Sequence, residues 1–297
     1  MSFLAGIKAV YEKRYKLLVL IPLILLLLGL VQIVSQQITT GSFLLKDISL
    51  KGGTTLTIYY NETIDINKLK SELEQSFPSE DFNLRVLEER GSQVGFIVDT
   101  SLGGEKLEAL TEHIEELTGK LSEDQISVEI IGSMLSESFF KETLLALLIA
   151  FVLMGIVVFA YFRVFIPSVA VILSAFSDIV LTLSVSNLLG LKISTAGLAA
   201  LLMLIGYSVD TDILLSTHVL RRRDAPLMAR IYRAMKTGLT TTSTTLVAVT
   251  VALLLSKSDV ITEIMRIVFI GLLIDLLNTW MLNAGLLRMF MEKKKNG

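Results

Sequence analysis

Six predominantly apolar stretches dominate the chain, at 17–34, 144–162, 166–189, 195–217, 239–255 and 264–287. A helix needs about 20 such residues to cross a hydrocarbon core. Backbone polar groups cannot stay unpaired in lipid, so each stretch predicts a transmembrane helix. Between the first two the pattern changes. Residues 54–60 alternate and are rich in β-branched and aromatic side chains, which predicts a strand. Residues 65–77 carry apolar positions at a helical period, ended by Pro78. Two short strands, 83–88 and 93–99, flank Gly91 and Ser92 as a hairpin. A second amphipathic helix covers 105–121 and a last strand 125–131. The order βαββαβ predicts a ferredoxin-like α+β domain, linked through 133–142 to the second span.

The predicted fold class is therefore an α-helical membrane protein with six transmembrane helices and an α+β domain between helices 1 and 2. Its boundaries are 1–34 for the N-terminus and first span, 35–142 for the acidic domain, 143–290 for spans two to six, and 291–297 for a basic tail. The first span is preceded by Lys8, Lys13, Arg14 and Lys16, like a signal peptide. Its run of 18 residues ends at Val34 and continues into Ser35, Gln36 and Gln37 rather than a small-residue cleavage site, so a retained anchor is expected.

Composition supports this reading. The 297 residues are 52% hydrophobic and 19% charged, without cysteine, which excludes disordered, disulfide-stapled and Cys-zinc classes. With the N-terminus inside, 15 Lys and Arg fall on inner segments, against Lys192 and Lys257 in the short outer loops. That bias predicts a plasma-membrane protein with both termini cytoplasmic and the large domain outside. The domain holds nine basic and 20 acidic residues, a net charge of −11. Such a surface disfavours nucleic acid and serves solubility.

Polar residues inside the spans are the candidate chemistry. Span three holds Ser174, Ser177, Asp178, Thr182, Ser184 and Asn187, and span four Ser208, Asp210, Thr211 and Asp212. Span five opens with a run from Thr240 to Thr245, and span six holds Asp275, Asn278 and Asn283. An Asp at helix centre costs about 2.5–3.5 kcal/mol on insertion scales. Such groups must face protein or water, or carry a proton. Asp178, Asp210, Asp212 and Asp275 are therefore the proton- or ion-coupling candidates, with interhelical hydrogen bonding as the plainer role. Asp212 points about 200° away from Asp210, at about 100° per residue. Lys236 and Thr237, at the inner end of span five, are placed to approach Asp210, with Thr211, Thr241 and Asn278 as further polar support.

No catalytic, cofactor or metal set is expected. His113 lies on the polar face of the second domain helix, between Glu112 and Glu116 and without Cys or a second His nearby, which predicts a solvated histidine. Lys51-Gly52-Gly53-Thr54 lacks the spacing of a phosphate loop and predicts a tight turn. His218 meets the Arg221-Arg222-Arg223 run, which suits topology and contact with anionic membrane lipid.

One span, an outer domain and five further spans with polar seams resemble half of a resistance-nodulation-division transporter. More narrowly, the chain is similar to the SecF family of protein-export membrane proteins, archaeal type. The likeness is carried by Asp47-Ile-Ser-Leu-Lys-Gly-Gly-Thr54, by Gly206-Tyr-Ser-Val-Asp-Thr-Asp-Ile-Leu214, and by Ala234-Met-Lys-Thr-Gly-Leu239 with Thr244-Thr-Leu246. It implies a non-enzymatic export subunit acting with SecD and the SecYEG channel on translocating preproteins, late in translocation and linked to the proton motive force. Bacterial members carry an Asp in span four and an Arg opening span five. Aligned without gaps, these fall at Thr211 and Thr237, beside Asp210 and Asp212 and beside Lys236. Asp210 is the first expectation for a coupling residue. A small-molecule or lipid exporter of the same superfamily is the alternative. An intramembrane aspartyl protease is remote, because Gly206-Tyr-Ser-Val-Asp210 departs from its Gly-x-Gly-Asp.

Overall fold

A computed structural model describes residues 11–60, 64–78, 80, 82–89, 92–222, 224–256 and 258–296. Lys8, Gly91, Arg223 and Lys257 lie outside them. The chain forms two compact units, one of Lys46–Leu144 and one of Met1–Leu45 with Leu145–Gly297.

The smaller unit follows the predicted order. After a helical turn α2 (Ile48–Lys51) come β1 (Gly53–Tyr59), α3 (Ile66–Ser76), β2 (Phe82–Glu89), β3 (Ser92–Thr100), α4 (Glu105–Thr118) and β4 (Ile126–Ile131). The strands lie in the order β2-β3-β1-β4. Every neighbouring pair is antiparallel, with Leu56 opposite both Val98 and Val128. This is the split βαββαβ arrangement. Alternation sends Leu56, Ile58, Phe96 and Val98 to one face. There they pack with Leu69, Leu73, Leu110 and Ile114 from the two helices. Asp65 starts α3 by accepting from the backbone N–H groups of Asn67 and Lys68, which caps the helix. His113 is no free surface residue: its Nε2 lies 2.9 Å from Ser76 Oγ and its ring meets Phe77 edge-on, joining α4 to α3. Asp99 was not singled out by pattern, yet it is buried on the opposite sheet face. It accepts from Thr55 at 2.8 Å and pairs with Arg85 at 2.7 Å.

The larger unit contains α1 (Tyr15–Thr40), α6 (Phe165–Leu188), α7 (Thr195–Leu220), α8 (Leu227–Leu255), α9 (Asp259–Leu277) and α10 (Ala284–Asn296), while α5 (Ser133–Phe162) runs from one unit into the other. Among the described residues, five helices are long and apolar enough to cross a membrane: α1, α5, α6, α7 and α8. The sixth predicted span lies in the helical run Asp259–Asn296, which is divided by a π-helical segment at Asn278–Asn283. Its first part carries Asp259, Glu263, Arg266 and Asp275, a polar load that sets it apart from the other five.

Helix α6 is central: α1, α7 and α9 all pack against it. It buries Ser174, Ser177, Asp178, Thr182 and Asn187 along with its apolar residues. Asn187 fastens the chain beyond α1, donating to Phe43 O at 2.9 Å and accepting from Leu45 N–H at 3.2 Å. Ser194 caps α7 and is gripped by Glu263 of α9 through hydroxyl and backbone N–H, each at 2.7 Å. By contrast α5 exposes nearly all its apolar side chains, as a helix facing lipid would.

The structure moves three predicted boundaries. Helix α1 runs to Thr40, where Gly41 turns left-handed at φ 74°. The acidic unit begins at Lys46 rather than at 35. The expected link 133–142 is already helical, because nothing after Gly132 interrupts it and Lys141 pairs with Glu137 one turn earlier at 2.7 Å. At the predicted Gly-Gly turn, Gly52 has φ 80°, and a side chain on Gly53 would collide with the carbonyl oxygen of Thr100. Replacing Gly53 by Ala is expected to destabilise the β1–β3 pairing by about 1–3 kcal/mol. Hydrogen exchange on the full chain should show faster exchange at β1 and β3 and unchanged protection in α6.

Candidate functional site

The candidate site is a seam of polar side chains between α6, α7 and the α9–π run. Asp178 of α6 is the meeting point of two neighbours. Asn278 donates to its Oδ1 at 2.6 Å, and Ser208 of α7 donates to its Oδ2 through a short hydrogen bond. One turn after Ser208 comes Asp212. Its Oδ1 accepts from Asn283 at 2.7 Å and lies 3.0 Å from the Thr279 hydroxyl. That hydroxyl is also 3.0 Å from Asp275 Oδ1. A hydroxyl has one proton to donate, so Thr279 serves one carboxylate at a time. The shared contact also holds these two carboxylate oxygens within about 6 Å of each other, inside the range of strong mutual repulsion.

The seam is closed to solvent. Asp178, Asp212 and Asp275 are 1%, 0% and 1% exposed, and Ser208, Asn278, Thr279 and Asn283 are equally buried. Among the described residues, no Lys or Arg forms an ion pair with any of the three carboxylates. Asp212 Oδ2, Asp275 Oδ2, Asn278 Oδ1 and Asn283 Oδ1 have no protein partner. No three acidic, His or Cys side chains among the described residues are arranged as metal ligands.

The π-helical segment brings span six into this arrangement. At about 100° per residue, eight residues of α-helix would leave Asn283 about 80° around from Asp275. The wider turn closes i→i+5 hydrogen bonds and winds more slowly, keeping Asp275, Thr279 and Asn283 on the buried side. Close backbone approach tightens the packing: a Cβ on Gly271 would strike Leu204, and one on Gly238 of α8 would meet Trp280 Cζ2 at 2.5 Å.

Three of the four coupling candidates, Asp178, Asp212 and Asp275, are thus brought together, and Asn278 with them. Asp210 is not. It lies on the exposed side of α7 with Ala199, Met203, Gly206 and Tyr207, as the 200° separation from Asp212 requires. The expectation that Lys236 approaches Asp210 is not met by an ion pair among the described residues. Lys236 and Thr237 are exposed, and Thr237 donates to the Arg233 carbonyl of its own helix. Thr240, Thr241, Thr244 and Thr245 likewise donate to carbonyls of their own helix, at 2.7–3.2 Å. Back-bonding of this kind satisfies a hydroxyl without a neighbouring helix. Thr211 is buried, with its methyl group against Gly238.

The sequence marks Ser208 and Asn283 only as polar residues of their spans, without a place in the site, and Thr279 was missed, although all three lie at helical spacing from a predicted Asp. The spacing of four from Asp275 to Thr279 to Asn283 was the available signal. Replacing Asp212 by Ala strips Asn283 and Thr279 of a buried acceptor, at a cost of about 1–3 kcal/mol. Asp212→Asn, which keeps the shape and one carbonyl oxygen, should cost less. Thermal unfolding of the purified protein in detergent measures both.

Residues 111–293 match the family described as protein export membrane protein SecD/SecF, C-terminal. The SecF of Methanocaldococcus jannaschii is 38% identical over 288 residues, covering 95% of this chain and 97% of that protein. The SecF of Methanolacinia petrolearia is 39% identical, with 94% of each chain covered. Among solved structures, the translocon-associated membrane protein SecDF of Thermus thermophilus shares the fold, with a TM-score of 0.70 at 20% identity. That match covers 94% of this chain and 38% of the longer SecDF chain. A membrane unit built around α6, a βαββαβ unit, and close relatives along nearly its whole length place the chain in the SecD/SecF family of protein-export membrane proteins, on the SecF side.

Proposed function

We propose that this chain is the SecF half of a SecD–SecF export complex, and that its carboxylate seam responds to the proton motive force. The observation that carries this reading is three buried aspartates on three helices, Asp212 and Asp275 sharing Thr279 and Asp178 held by Asn278 and Ser208, matched by no basic side chain among the described residues. Intramembrane carboxylates are costly and mark proton paths. An ionised carboxylate only accepts hydrogen bonds, whereas a protonated one also donates. Gain or loss of one proton therefore changes which acceptor Thr279 serves, and with it the contact of α7 with the π-helical segment. Asp212 takes the coupling role expected of Asp210, since it shares both Thr279 and the seam.

In this reading the helical run from Asp259 is the sixth span, both termini are cytoplasmic and the acidic βαββαβ unit is extracytoplasmic. The basic residues of the loops support that orientation. Asp210, Gly206 and the exposed Lys236, Thr237 and Thr241 then belong to a face covered by SecD, because a lone carboxylate toward lipid is disfavoured. The SecYEG channel and a preprotein complete the assembly, in keeping with the translocon association of the Thermus protein.

Two measurements test this. In proteoliposomes holding SecD, this chain and the channel, Asp212→Asn should lower proton-gradient-stimulated export by about tenfold or more while SecD still co-purifies. Export that keeps its full response to the gradient would remove the seam from the mechanism. Asp210→Leu should instead reduce recovery of SecD from mild detergent, and undiminished recovery would exclude Asp210 from that face.

A further inference from the structure

A second polar feature lies away from the carboxylate seam, where α7 ends and α8 begins. Arg230, in the first turn of α8, is 7% exposed and forms no ion pair among the described residues. One of its terminal nitrogens, Nη1, donates to the carbonyls of Val219, at 2.7 Å, and Arg222. These contacts fix the guanidinium, yet its Nε has no partner. A buried cation held this way leaves a donor unsatisfied, which costs free energy unless an acceptor arrives.

Arg230 lines a cleft of about 900 Å³, large for a small-molecule site. Among the described residues, the other charged side chains there are Arg221, Arg288, Lys294 and Glu292. Arg288 stacks on the Tyr15 ring at 3.9 Å and gives its Nε to Glu292 at 2.7 Å, while its Nη1 remains unpartnered. Arg221 stacks on the Tyr161 ring at 4.0 Å. Among the described residues, four basic groups thus meet one carboxylate. The rest of the lining is apolar and includes Phe162, Leu220, Leu227, Met228 and Phe290. Phe162, Leu220 and Leu227 are end residues of α5, α7 and α8, all long enough to cross the membrane, so the cleft opens at headgroup depth.

We propose that this cleft binds the phosphate headgroup of an anionic phospholipid, with the buried Arg230 and the half-buried Arg288 as the anion contacts and Arg221 and Lys294 on the exposed flank. Guanidinium groups suit phosphate because their planar donors match its oxygens. The apolar walls select a lipid over a free anion, since they offer a surface to the upper acyl chains. Basic pockets between membrane helices recognise lipid headgroups by this chemistry. The site requires membrane insertion and is independent of proton coupling at the seam.

Native mass spectrometry of the delipidated full-length protein tests the assignment with phosphatidylglycerol, phosphatidylcholine and inorganic phosphate as probes. One phosphatidylglycerol should be retained about tenfold more tightly than phosphatidylcholine, and millimolar phosphate should not displace it. Arg230→Gln should weaken retention by on the order of tenfold, the loss of a charge-assisted hydrogen bond. Should Arg230→Gln fail to fold, the exposed double variant Arg221→Gln with Lys294→Gln should still weaken it severalfold. Equal retention of the two lipids, or unchanged binding in the double variant, overturns the proposal. Displacement by phosphate also overturns it and assigns the cleft to a free anion.

Discussion

Hydrogen-bond satisfaction away from water is the constraint on which the membrane unit depends. Lipid supplies no partner for a carboxylate, an amide or a hydroxyl, so these groups are driven to pair on a neighbouring helix or on their own backbone. The seam around Asp178, Asp212 and Asp275 is the interhelical solution. It binds α6 to α7 through Ser208, and binds both to the last helical run through Asn278, Thr279 and Asn283. The threonines of α8 use the other solution and bond to their own helix. Two chemically similar clusters therefore contribute differently: one sets helix packing, the other leaves a smooth exposed face.

The same constraint explains the layout of apolar residues. Helix α6 is surrounded and mostly buried, so it carries the largest share of buried polar groups. Helix α5 is almost wholly exposed and carries none in its transmembrane stretch. The π-helical segment changes the winding so that a line of polar residues stays on the inside. Wide turns of this kind recur at functional sites, where regular winding would misplace a side chain. The βαββαβ unit obeys ordinary aqueous rules instead, with an apolar core under two helices and Asp99 paired to Arg85 on the opposite face.

Much of this architecture was legible in the chain itself. Hydrophobic length marks membrane helices whatever their neighbours, because the thickness of the hydrocarbon core sets it. Period-two and helical patterns marked all four strands and both helices of the small unit, because each buries one face against a single core. The boundaries at Thr40, Lys46 and Ser133 were less legible. Helices continue past the apolar run wherever no residue stops them, and hydropathy does not register that continuation.

The intramembrane aspartates were also evident from sequence, along with the opposed directions of Asp210 and Asp212, since helical geometry fixes the angle between neighbours. Which of the two faces the seam was decided only by tertiary structure. Local winding is common to every helix, but the side that becomes interior depends on which helices pack together. For the same reason Thr279 and Asn283 entered the site only once the π-helical segment had been formed. Packing likewise gathered Arg221, Arg230, Arg288 and Lys294 around one cleft, because residues far apart in the chain meet only where their helices end together.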